Sequence, residues 1–295
     1  MLDKVLIIGA GPAGLTCALQ LKRYGIPARI FERARPGGLL WNANLVENYP
    51  GFPSGISGVN LVQAFLQQIA KLSIEIEQET VLNLNWQDGV FHLQTNLDHY
   101  TAPIVVIASG TEARCLPDDL VPSMLKEHIL YEILPLLEKH ISDQTIAIIG
   151  AGDAAFDYAL NLSKHNQVLI LNRTETLKCL PLLWQRASQI SAIQYHPNTH
   201  VQQISRQIDG RLSLRCQQLN QILNIDVNFL IGAIGRQPAM NYLDSRLIEQ
   251  STQLQQQGFL YTIGDVKNEI FRQTAIAAGD GLLAAMKIYQ TLKEQ

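Results

Sequence analysis

The chain has 295 residues, of which 47% are hydrophobic and 17% charged, and its formal net charge is −3. This composition is typical of a globular protein, and the length suits two domains better than one. Because no block of lysine or arginine occurs, neither a general nucleic-acid binder nor a membrane-surface protein is expected. Glycine and proline interrupt the apolar N-terminal run, so we predict a cytoplasmic protein without signal peptide or membrane span.

The N-terminal region predicts a β-α-β unit. Residues 4–9 form an apolar run without alternation, which is typical of a strand buried on both faces. A helix is predicted from Pro12 to Tyr24 and a second strand over residues 27–32. Such a unit is the building block of a parallel sheet.

A glycine-rich turn joins the first strand to the first helix. Gly9, Gly11 and Gly14 complete the pattern G-x-G-x-x-G, in which the glycines allow a tight turn, the approach of a pyrophosphate and close packing of helix on strand. Glu32 lies eighteen residues after Gly14, at the end of the second strand. A carboxylate there can bind the hydroxyls of an adenosine ribose, so a dinucleotide site is predicted.

The next part of the chain is more irregular. The segment from Gly37 to Gly58 is a long loop rich in Gly, Asn, Pro and Ser, and long ordered loops are usually functional. A helix is predicted over 59–72, followed by short alternating strands and a buried strand over 104–110. Residues 112–143 are predicted to be helical and amphipathic.

A second glycine-rich turn follows the strand TIAII. Gly150, Gly152 and Ala155 give G-x-G-x-x-A at the start of another helix, so a second dinucleotide unit is predicted. At the position that matches Glu32 this unit has Asn172, which would not repel a 2′-phosphate. Arg173 and Lys178 could neutralise one, which favours NADPH over NADH, although both could equally be ordinary surface cations.

The order of these units predicts the domain arrangement. Further strands over 193–231 complete the second unit, and a later buried strand and helix return to the first. The predicted fold class is α/β, with two Rossmann-like three-layer ββα dinucleotide-binding domains, the second inserted in the first. Residues 1–112 and 238–295 form the first domain and residues 113–237 the second.

The dipeptide Gly264-Asp265 predicts a further contact with the first ligand. A carboxylate at a strand end suits a ribityl hydroxyl of a flavin. The final helix, expected to begin near Arg272–Ala275, would direct its N-terminus at the flavin edge where negative charge develops on reduction.

No metal site and no catalytic acid, base or nucleophile is predicted. The four cysteines form no C-x-x-C pair and no zinc pattern, and Pro197 separates His196 from His200. We expect Cys17 to face the core, whereas Cys115 could approach the flavin. Three aromatic side chains of the long loop could stack on the flavin or simply pack the loop: Trp41, Tyr49 and Phe52.

Over essentially its whole length the chain resembles the thioredoxin-reductase-like family of flavoproteins. The matching motifs are GAGPAG with Glu32, GGLL…ENYPGFP…ISG, IASG, GAGDAA, GAIGRQP and IGDV…RQTAIAAGDGLLAA. The resemblance implies FAD in the first domain, NADP in the second with NAD possible, a homodimer, and hinges at 110–114 and 236–240. The cofactor-binding residues expected in the first domain are Gly9, Gly11, Pro12, Ala13, Gly14, Glu32, Arg33, Gly38, Leu39, Asn48, Val81, Ser109, Gly110, Gly264, Asp265, Gln273 and Thr274. Those expected in the second domain are Gly150, Gly152, Asp153, Ala154, Arg173, Lys178, Gly235 and Arg236.

The chain departs from this family at one place. Thioredoxin reductases carry a redox-active C-x-x-C just before the second glycine motif, but no cysteine lies between Cys115 and Cys179. A dithiol relay needs two thiols. The chain therefore resembles the cysteine-free branch that includes the thioredoxin-reductase-like ferredoxin (flavodoxin)–NADP reductases. Those enzymes cover the flavin with a C-terminal extension, which is not expected in a sequence that ends at Gln295.

Three classes of function follow. The first is an NAD(P)H-dependent FAD oxidoreductase that passes electrons to ferredoxin, flavodoxin or a small-molecule acceptor. The second is a thioredoxin or disulfide reductase that uses non-standard thiols or the thiols of its partner. The third is a flavin-binding interaction protein without catalysis.

Overall fold

A computed structural model describes residues 4–294; residues 1–3 and 295, which the predicted domain ranges include, lie outside it. Within the described part, the strands, numbered β1 to β18 in chain order, are Val5–Ile8, Ala28–Phe31, Ile76–Glu77, Val81–Gln87, Val90–Thr95, His99–Ala102, Ile104–Ile107, Thr111–Ala113, Ile129–Leu130, Thr145–Ile149, Gln167–Leu171, Ile193–His196, Thr199–Arg206, Leu212–Gln218, Gln221–Val227, Phe229–Gly232, Arg236–Pro238 and Leu260–Thr262. The α-helices, α1 to α7, are Pro12–Arg23, Gly58–Lys71, Leu134–Glu138, Asp153–Leu162, Pro181–Ala187, Ser245–Gln256 and Thr274–Glu294. Short 3₁₀ turns lie at Gly38–Asn42, Ser123–His128 and Gly264–Val266.

The described residues divide into two compact units. Unit 1 comprises 4–41, 46–112 and 237–294, and unit 2 comprises 42–45 and 113–236. A four-residue stretch of the long loop therefore belongs to unit 2, although the rest of that loop belongs to unit 1.

Unit 1 is a three-layer structure. Its central sheet is parallel and has the order β18-β7-β1-β2-β3. Val5 and Ile7 of β1 pack with the inner faces of α1 and α7, whereas Leu6 and Ile8 pack on the opposite side with the antiparallel sheet β4-β5-β6. Burial on both faces explains why β1 is apolar without alternation.

Unit 2 has the same three layers. The parallel sheet has the order β12-β11-β10-β16-β9, and the antiparallel sheet is β13-β14-β15. Ile146 and Ile148 of β10 pack with Phe156 of α4, and Ala147 faces the side that holds Leu214 of the antiparallel sheet. The α/β class with parallel sheets is thus confirmed.

The glycine turns and their flanking elements are predicted closely. The strands β1, β2 and β7 and the helices α1, α2 and α7 begin and end within about three residues of the predicted positions.

The helical prediction for residues 112–143 is wrong for most of that range. The segment contains the strands β8 and β9, a 3₁₀ turn and only the five-residue helix α3. Pro117, Pro122 and Pro135 explain the difference, because proline lacks the backbone N–H and restrains the residue before it. Amphipathic spacing therefore does not produce a continuous helix across these prolines.

Candidate functional site

The turn between β1 and α1 in unit 1 leaves no room for a side chain at two of its three glycines. Gly9 has φ +104°, and an added Cβ would lie 2.4 Å from the carbonyl oxygen of Ala108. A Cβ on Gly14 would lie 1.9 Å from the Gly9 carbonyl oxygen. Gly11, in contrast, meets no protein atom within 4 Å. The open side of the turn is therefore at Gly11, where the N-terminal N–H groups of α1 can bind a phosphate.

Four further predicted residues lie at this first cradle: Pro12, Ala13, Gly38 and Leu39. Helix α1 begins with Pro12 and Ala13, and Gly14 and Ala13 are buried. The Gly37 N–H donates to the Ala10 carbonyl oxygen at 2.7 Å, and Gly38, with φ +58°, lies against Gly11. Leu39 follows within the same 3₁₀ turn.

Glu32 lies at the end of β2, as predicted. One carboxylate oxygen accepts the Ala10 N–H at 2.9 Å, and the other accepts the Ala34 N–H at 3.0 Å. The carboxylate is thus fixed beside the glycine turn. Each oxygen keeps a further lone pair, which fits a ribose diol.

A cavity of 260 Å³ adjoins Glu32. The structure brings several predicted residues to its wall: Gly9, Glu32, Arg33, Val81 and Ser109. The cavity wall also includes residues that the sequence did not indicate: Glu79, Asn241 and Tyr242. These residues belong to β-strand ends and loops far apart in the chain, so no local pattern identifies them.

Two of these additional residues are held by hydroxyl groups. The buried Glu79 carboxylate accepts from the Thr95 hydroxyl at 2.6 Å and from the Tyr100 hydroxyl at 2.8 Å. Burial raises the pKa of Tyr242, which remains a phenol and donates to the Ser109 hydroxyl at 3.1 Å. Ser109 in turn donates to the Ala239 carbonyl oxygen at 2.6 Å.

The remaining predicted residues of unit 1 lie on three connecting segments and at the start of α7. The Asn48 amide donates to the Gln273 side-chain oxygen at 2.7 Å, so two residues distant in sequence lie together. Thr274 begins α7, and Gly264 and Asp265 lie in the 3₁₀ turn before it. Gly110, with φ +66°, ends the segment after β7.

The turn between β10 and α4 gives unit 2 a second cradle. Gly150 has φ +125°, and a Cβ there would lie 2.2 Å from the Ala233 carbonyl oxygen. Gly152 meets no protein atom within 4 Å, as for Gly11 in the first cradle. Asp153 and Ala154 are exposed in the first turn of α4, and Ala155 is fully buried. A second phosphate cradle is the chemistry that this geometry allows.

The chain after β11 runs beside this second cradle. Lys178 pairs with Gly152 through a backbone bridge, and the Leu180 N–H donates to the Asp153 carboxylate at 2.7 Å. Asn172 is buried, and its amide donates to the Tyr195 hydroxyl at 2.9 Å. Because Asn172 is occupied in this way, the exposed Arg173 and Lys178 are the groups here that can meet a phosphate.

Two predicted residues lie at the end of unit 2. Gly235 has φ +115° and accepts the Arg114 N–H at 3.0 Å. The Arg236 guanidinium lies 3.2 Å from a Glu132 carboxylate oxygen. In unit 1 the Ala239 N–H donates to Gly110. The chain passes between the two units at residues 110–114 and 235–239. One pair of residues from these segments is hydrogen-bonded within unit 2, and the other pair within unit 1.

The segment before the second glycine motif is apolar and buried. Ile133 and Leu136 are 0% and 2% exposed and belong to the core of unit 2. The N–H groups of Ile133 and Leu134 both donate to the Asn42 side-chain oxygen at 2.9 Å. This segment therefore serves packing and hydrogen bonding, and it holds no sulfur.

Asp157 of α4 binds the same four-residue stretch of unit 2. Its carboxylate accepts the N–H of Asn44 at 2.9 Å and also that of Leu45. Lys164 donates to the Asn44 side chain at 2.8 Å. Burial outweighs these contacts and raises the pKa of Asp157 from its usual 3.8 to about 6.

The cysteines differ in environment. Cys17 is fully buried, as expected, and burial raises the pKa of its thiol to about 12. Cys216 is also buried, and burial raises its pKa to about 11. Burial also raises the pKa of the half-buried Cys179, whereas Cys115 is exposed. Two thiols are thus shielded within the core.

The three aromatic residues of the long loop have protein neighbours. The Tyr49 ring packs against Phe52 and Phe65, and the Trp41 indole donates to the Pro36 carbonyl oxygen at 2.8 Å.

Among residues 4–294, every helix is too short or too polar to span a membrane. The same residues contain no group of three or more metal-ligating side chains.

Comparison with known proteins identifies relatives along the whole chain. Residues 3–281 match the model of the family described as pyridine nucleotide-disulphide oxidoreductase. The chain is 30% identical to the thioredoxin reductase of Schizosaccharomyces pombe, over 99% of this chain and 98% of that protein. It is 27% identical to the thioredoxin reductase of Borreliella burgdorferi, over 99% and 93% respectively.

Solved structures have the same fold. The thioredoxin reductase of T. acidophilum has a TM-score of 0.84 and 25% identity, covering 98% of each chain. The thioredoxin reductase of Lactococcus lactis has a TM-score of 0.86 at 24% identity, covering 99% of this chain and 100% of that chain. The bacillithiol disulfide reductase of Staphylococcus aureus has a TM-score of 0.75 at 19% identity, which shows the fold alone.

Gly11 and Gly14 of the first cradle should differ in their response to replacement by alanine. Gly14→Ala forces a methyl group into the Gly9 carbonyl and should destabilise the apoprotein by about 2–4 kcal/mol. Gly11→Ala finds open space in the protein but fills the phosphate position, so it should leave the melting temperature unchanged and abolish FAD binding. Calorimetry of the apoproteins and FAD titration measure both effects; equal destabilisation by the two changes would contradict this geometry.

The raised pKa of Asp157 predicts a pH-dependent cost in stability. Since the pKa is higher in the folded than in the unfolded protein, the stabilisation by protonation is present below pH 4 and is lost as the pH rises through 6. The loss is up to about 3 kcal/mol. Asp157→Asn, which stays neutral and keeps an acceptor oxygen, should gain on the wild type by that amount between pH 4 and 7.5.

Urea denaturation across this pH range measures the difference. Asp88→Asn is the control, because Asp88 is exposed with φ 51°, a conformation that asparagine also adopts. The change of the stability difference with pH should be larger for Asp157→Asn than for this control. A pH-independent difference for Asp157→Asn would show that the buried carboxylate titrates normally.

Proposed function

Because the chain belongs to the pyridine nucleotide-disulphide oxidoreductase family and resembles its thioredoxin reductases, we propose that it passes electrons from NAD(P)H through FAD to an external acceptor without an internal dithiol. The observation that carries this proposal is the sequence Ile133-Leu-Pro-Leu136, buried and without sulfur, ahead of the second glycine motif. The chain is an oxidoreductase of this family; the direct route to the acceptor is the proposal.

FAD and NADPH are the cofactors of the family. We assign FAD to the domain of residues 1–112 and 238–295, and NAD(P)H to residues 113–237. The narrow turn at Gly9 and Gly14, the open face at Gly11 and the carboxylate of Glu32 fit an adenine dinucleotide. The cradle at Gly150 and Gly152 fits a second one.

The protein residues bind and orient the two cofactors. Helix α1 and Glu32 would hold the pyrophosphate and ribose of FAD, with Asp265, Gln273 and Thr274 near its flavin end. When bound, FAD accepts a hydride from the reduced nicotinamide and delivers electrons singly or in pairs. No side chain is required as an acid or base for hydride transfer, so positioning is the main contribution of the chain.

We propose ferredoxin or flavodoxin as the acceptor, in a cytoplasmic homodimer. An acceptor that takes electrons directly needs no thiol on this chain, which agrees with the apolar segment at 133–136. The relatives, however, are named thioredoxin reductases, and Cys115 is exposed. These two observations favour thioredoxin, or another disulfide, as the second candidate acceptor.

A variant without cysteines separates these two candidates. The variant Cys17→Ala, Cys115→Ser, Cys179→Ser, Cys216→Ala should be reduced anaerobically by NADPH, and it should reduce ferredoxin or flavodoxin as fast as the wild type does. Bleaching of the flavin absorbance follows the reaction. Where the buried changes impair folding, Cys115→Ser with Cys179→Ser gives the same test.

Two results would contradict the proposal. Reduction of thioredoxin by the wild type that is lost in the variant would assign the second candidate function. A flavin that neither NADPH nor NADH bleaches would indicate a binding protein without catalysis.

Arg173 should determine the preference for NADPH. Arg173→Ala removes one of the two exposed cations that follow β11 and leaves a neutral side chain, and we expect the Kd for NADPH to rise about tenfold or more. The Kd for NADH, which lacks the 2′-phosphate, should change less than about twofold. Arg211→Ala is the control, because Arg211 is an exposed cation paired with Asp209 at 2.7 Å. Equal losses for both nucleotides would exclude a phosphate contact at Arg173.

A further inference from the structure

Three groups of one short segment converge on the carboxylate of Asp280, in the second turn of α7. One carboxylate oxygen accepts the Gly264 N–H at 3.0 Å and the Asn268 side-chain amide at 2.8 Å. The other lies 3.4 Å from the Lys267 ammonium. The Asp280 side chain is only 16% exposed, so solvent screens these bonds weakly. Asp280 thus joins α7 to both ends of the segment Gly264–Asn268.

This segment has a conformation that needs external support. Gly264 is buried with φ +73°, and a Cβ there would lie 2.8 Å from the Cβ of Ala13. The N–H groups of Lys267 and Asn268 both donate to the Gly264 carbonyl oxygen, at 3.0 and 3.3 Å. A buried N–H must find an acceptor, and for Gly264 the Asp280 carboxylate provides it.

The position of Asp280 is itself fixed against the first glycine turn. Its neighbour Gly281 is buried, and a Cβ there would lie 2.2 Å from the Ala13 carbonyl oxygen and 3.0 Å from the Cys17 nitrogen. Helices α1 and α7 therefore touch through backbone at this point. Gly264 and Gly281 both lie against Ala13, which follows the open position at Gly11.

We propose that Asp280 is a positioning residue of the flavin site: its carboxylate holds the segment Gly264–Asn268 so that Asp265 faces the ribityl chain of FAD. The inference rests on the flavin site proposed above and adds a residue outside the motif Gly264-Asp265. Asp280 does not contact the flavin. It acts through the backbone of the segment that carries Asp265.

The size of the effect follows from the bonds that are lost. Asp280→Leu removes both carboxylate oxygens and leaves the Gly264 N–H and the Asn268 amide without their acceptor. A buried donor that loses its acceptor carries a free-energy cost in the closed conformation. If part of that cost opens the segment, the Kd for FAD should rise about tenfold or more. Asp280→Asn keeps one acceptor oxygen and should stay within about threefold of the wild type.

Two measurements on the full chain test the role of Asp280. The first is the Kd for FAD, from quenching of flavin fluorescence on titration of the apoprotein. The second is amide hydrogen exchange of the segment Gly264–Asn268, which reports its opening independently of activity. For Asp280→Leu we expect weaker FAD binding together with exchange at least about tenfold faster in this segment.

Asp244→Leu is the matched control in the same unit. The Asp244 carboxylate accepts the Arg246 N–H at 2.9 Å at the start of α6, so its loss removes one carboxylate–backbone bond elsewhere. This variant should be less stable than the wild type and should bind FAD as the wild type does. Weaker FAD binding in both variants would point to general destabilisation and overturn the proposal.

The outcomes separate this inference from the proposed function. Wild-type protein that fails to bind FAD would refute the flavin site itself. Wild type and Asp280→Leu that bind FAD equally, with equal exchange at Gly264–Asn268, would refute only the role of Asp280. If Asp280→Leu does not fold, Asp280→Ala, which removes both acceptor oxygens without adding bulk, decides: unchanged exchange of the Gly264 N–H overturns the proposal, and faster exchange supports it.

Discussion

The close approach of backbone to backbone at two glycine turns is the constraint on which both nucleotide sites depend. At Gly14 an added methyl group would lie 1.9 Å from a carbonyl oxygen, and at Gly150 it would lie 2.2 Å from one. Each turn thereby directs the start of a helix toward open space, at Gly11 and at Gly152. Two cradles in one chain imply a donor nucleotide and an acceptor nucleotide, and FAD and NADPH are the pair that this family uses.

The apolar segment Ile133–Leu136 changes what can follow once the flavin is reduced. In thioredoxin reductases a C-x-x-C precedes the second glycine motif, whereas here Ile133 and Leu136 are core residues and Asn42 binds the backbone between them. Buried apolar side chains thus occupy the position at which those enzymes have redox-active cysteines. We propose that electrons then leave by a direct route; the alternative is a route through thiols of the acceptor or a non-standard thiol of this chain, of which Cys115 is exposed.

The sequence predicts the repeated β-α-β pattern because each of its parts is local. In each unit the apolar strand, the glycine turn and the helix follow one another directly, at β1 and again at β10, and Glu32 lies eighteen residues after Gly14. Because these parts are close in sequence, their spacing determines their geometry. The residues that it missed act over long distances: Glu79 and Tyr242 reach the cavity only through sheet packing, and Asp280 reaches Gly264 through a helix crossing. The prediction of a helix over 112–143 is wrong because the prolines of this segment interrupt a helix in spite of its amphipathic spacing.

The number of electrons that the purified enzyme accepts tests the central claim most directly. Anaerobic titration with NADPH should end at one equivalent per FAD, since a hydride carries two electrons and FAD stores two. A further redox-active dithiol would store another two electrons and would require a second equivalent. An endpoint at one equivalent agrees with a flavin as the sole electron store. An endpoint at two would contradict it and would show that cysteines of this chain take part.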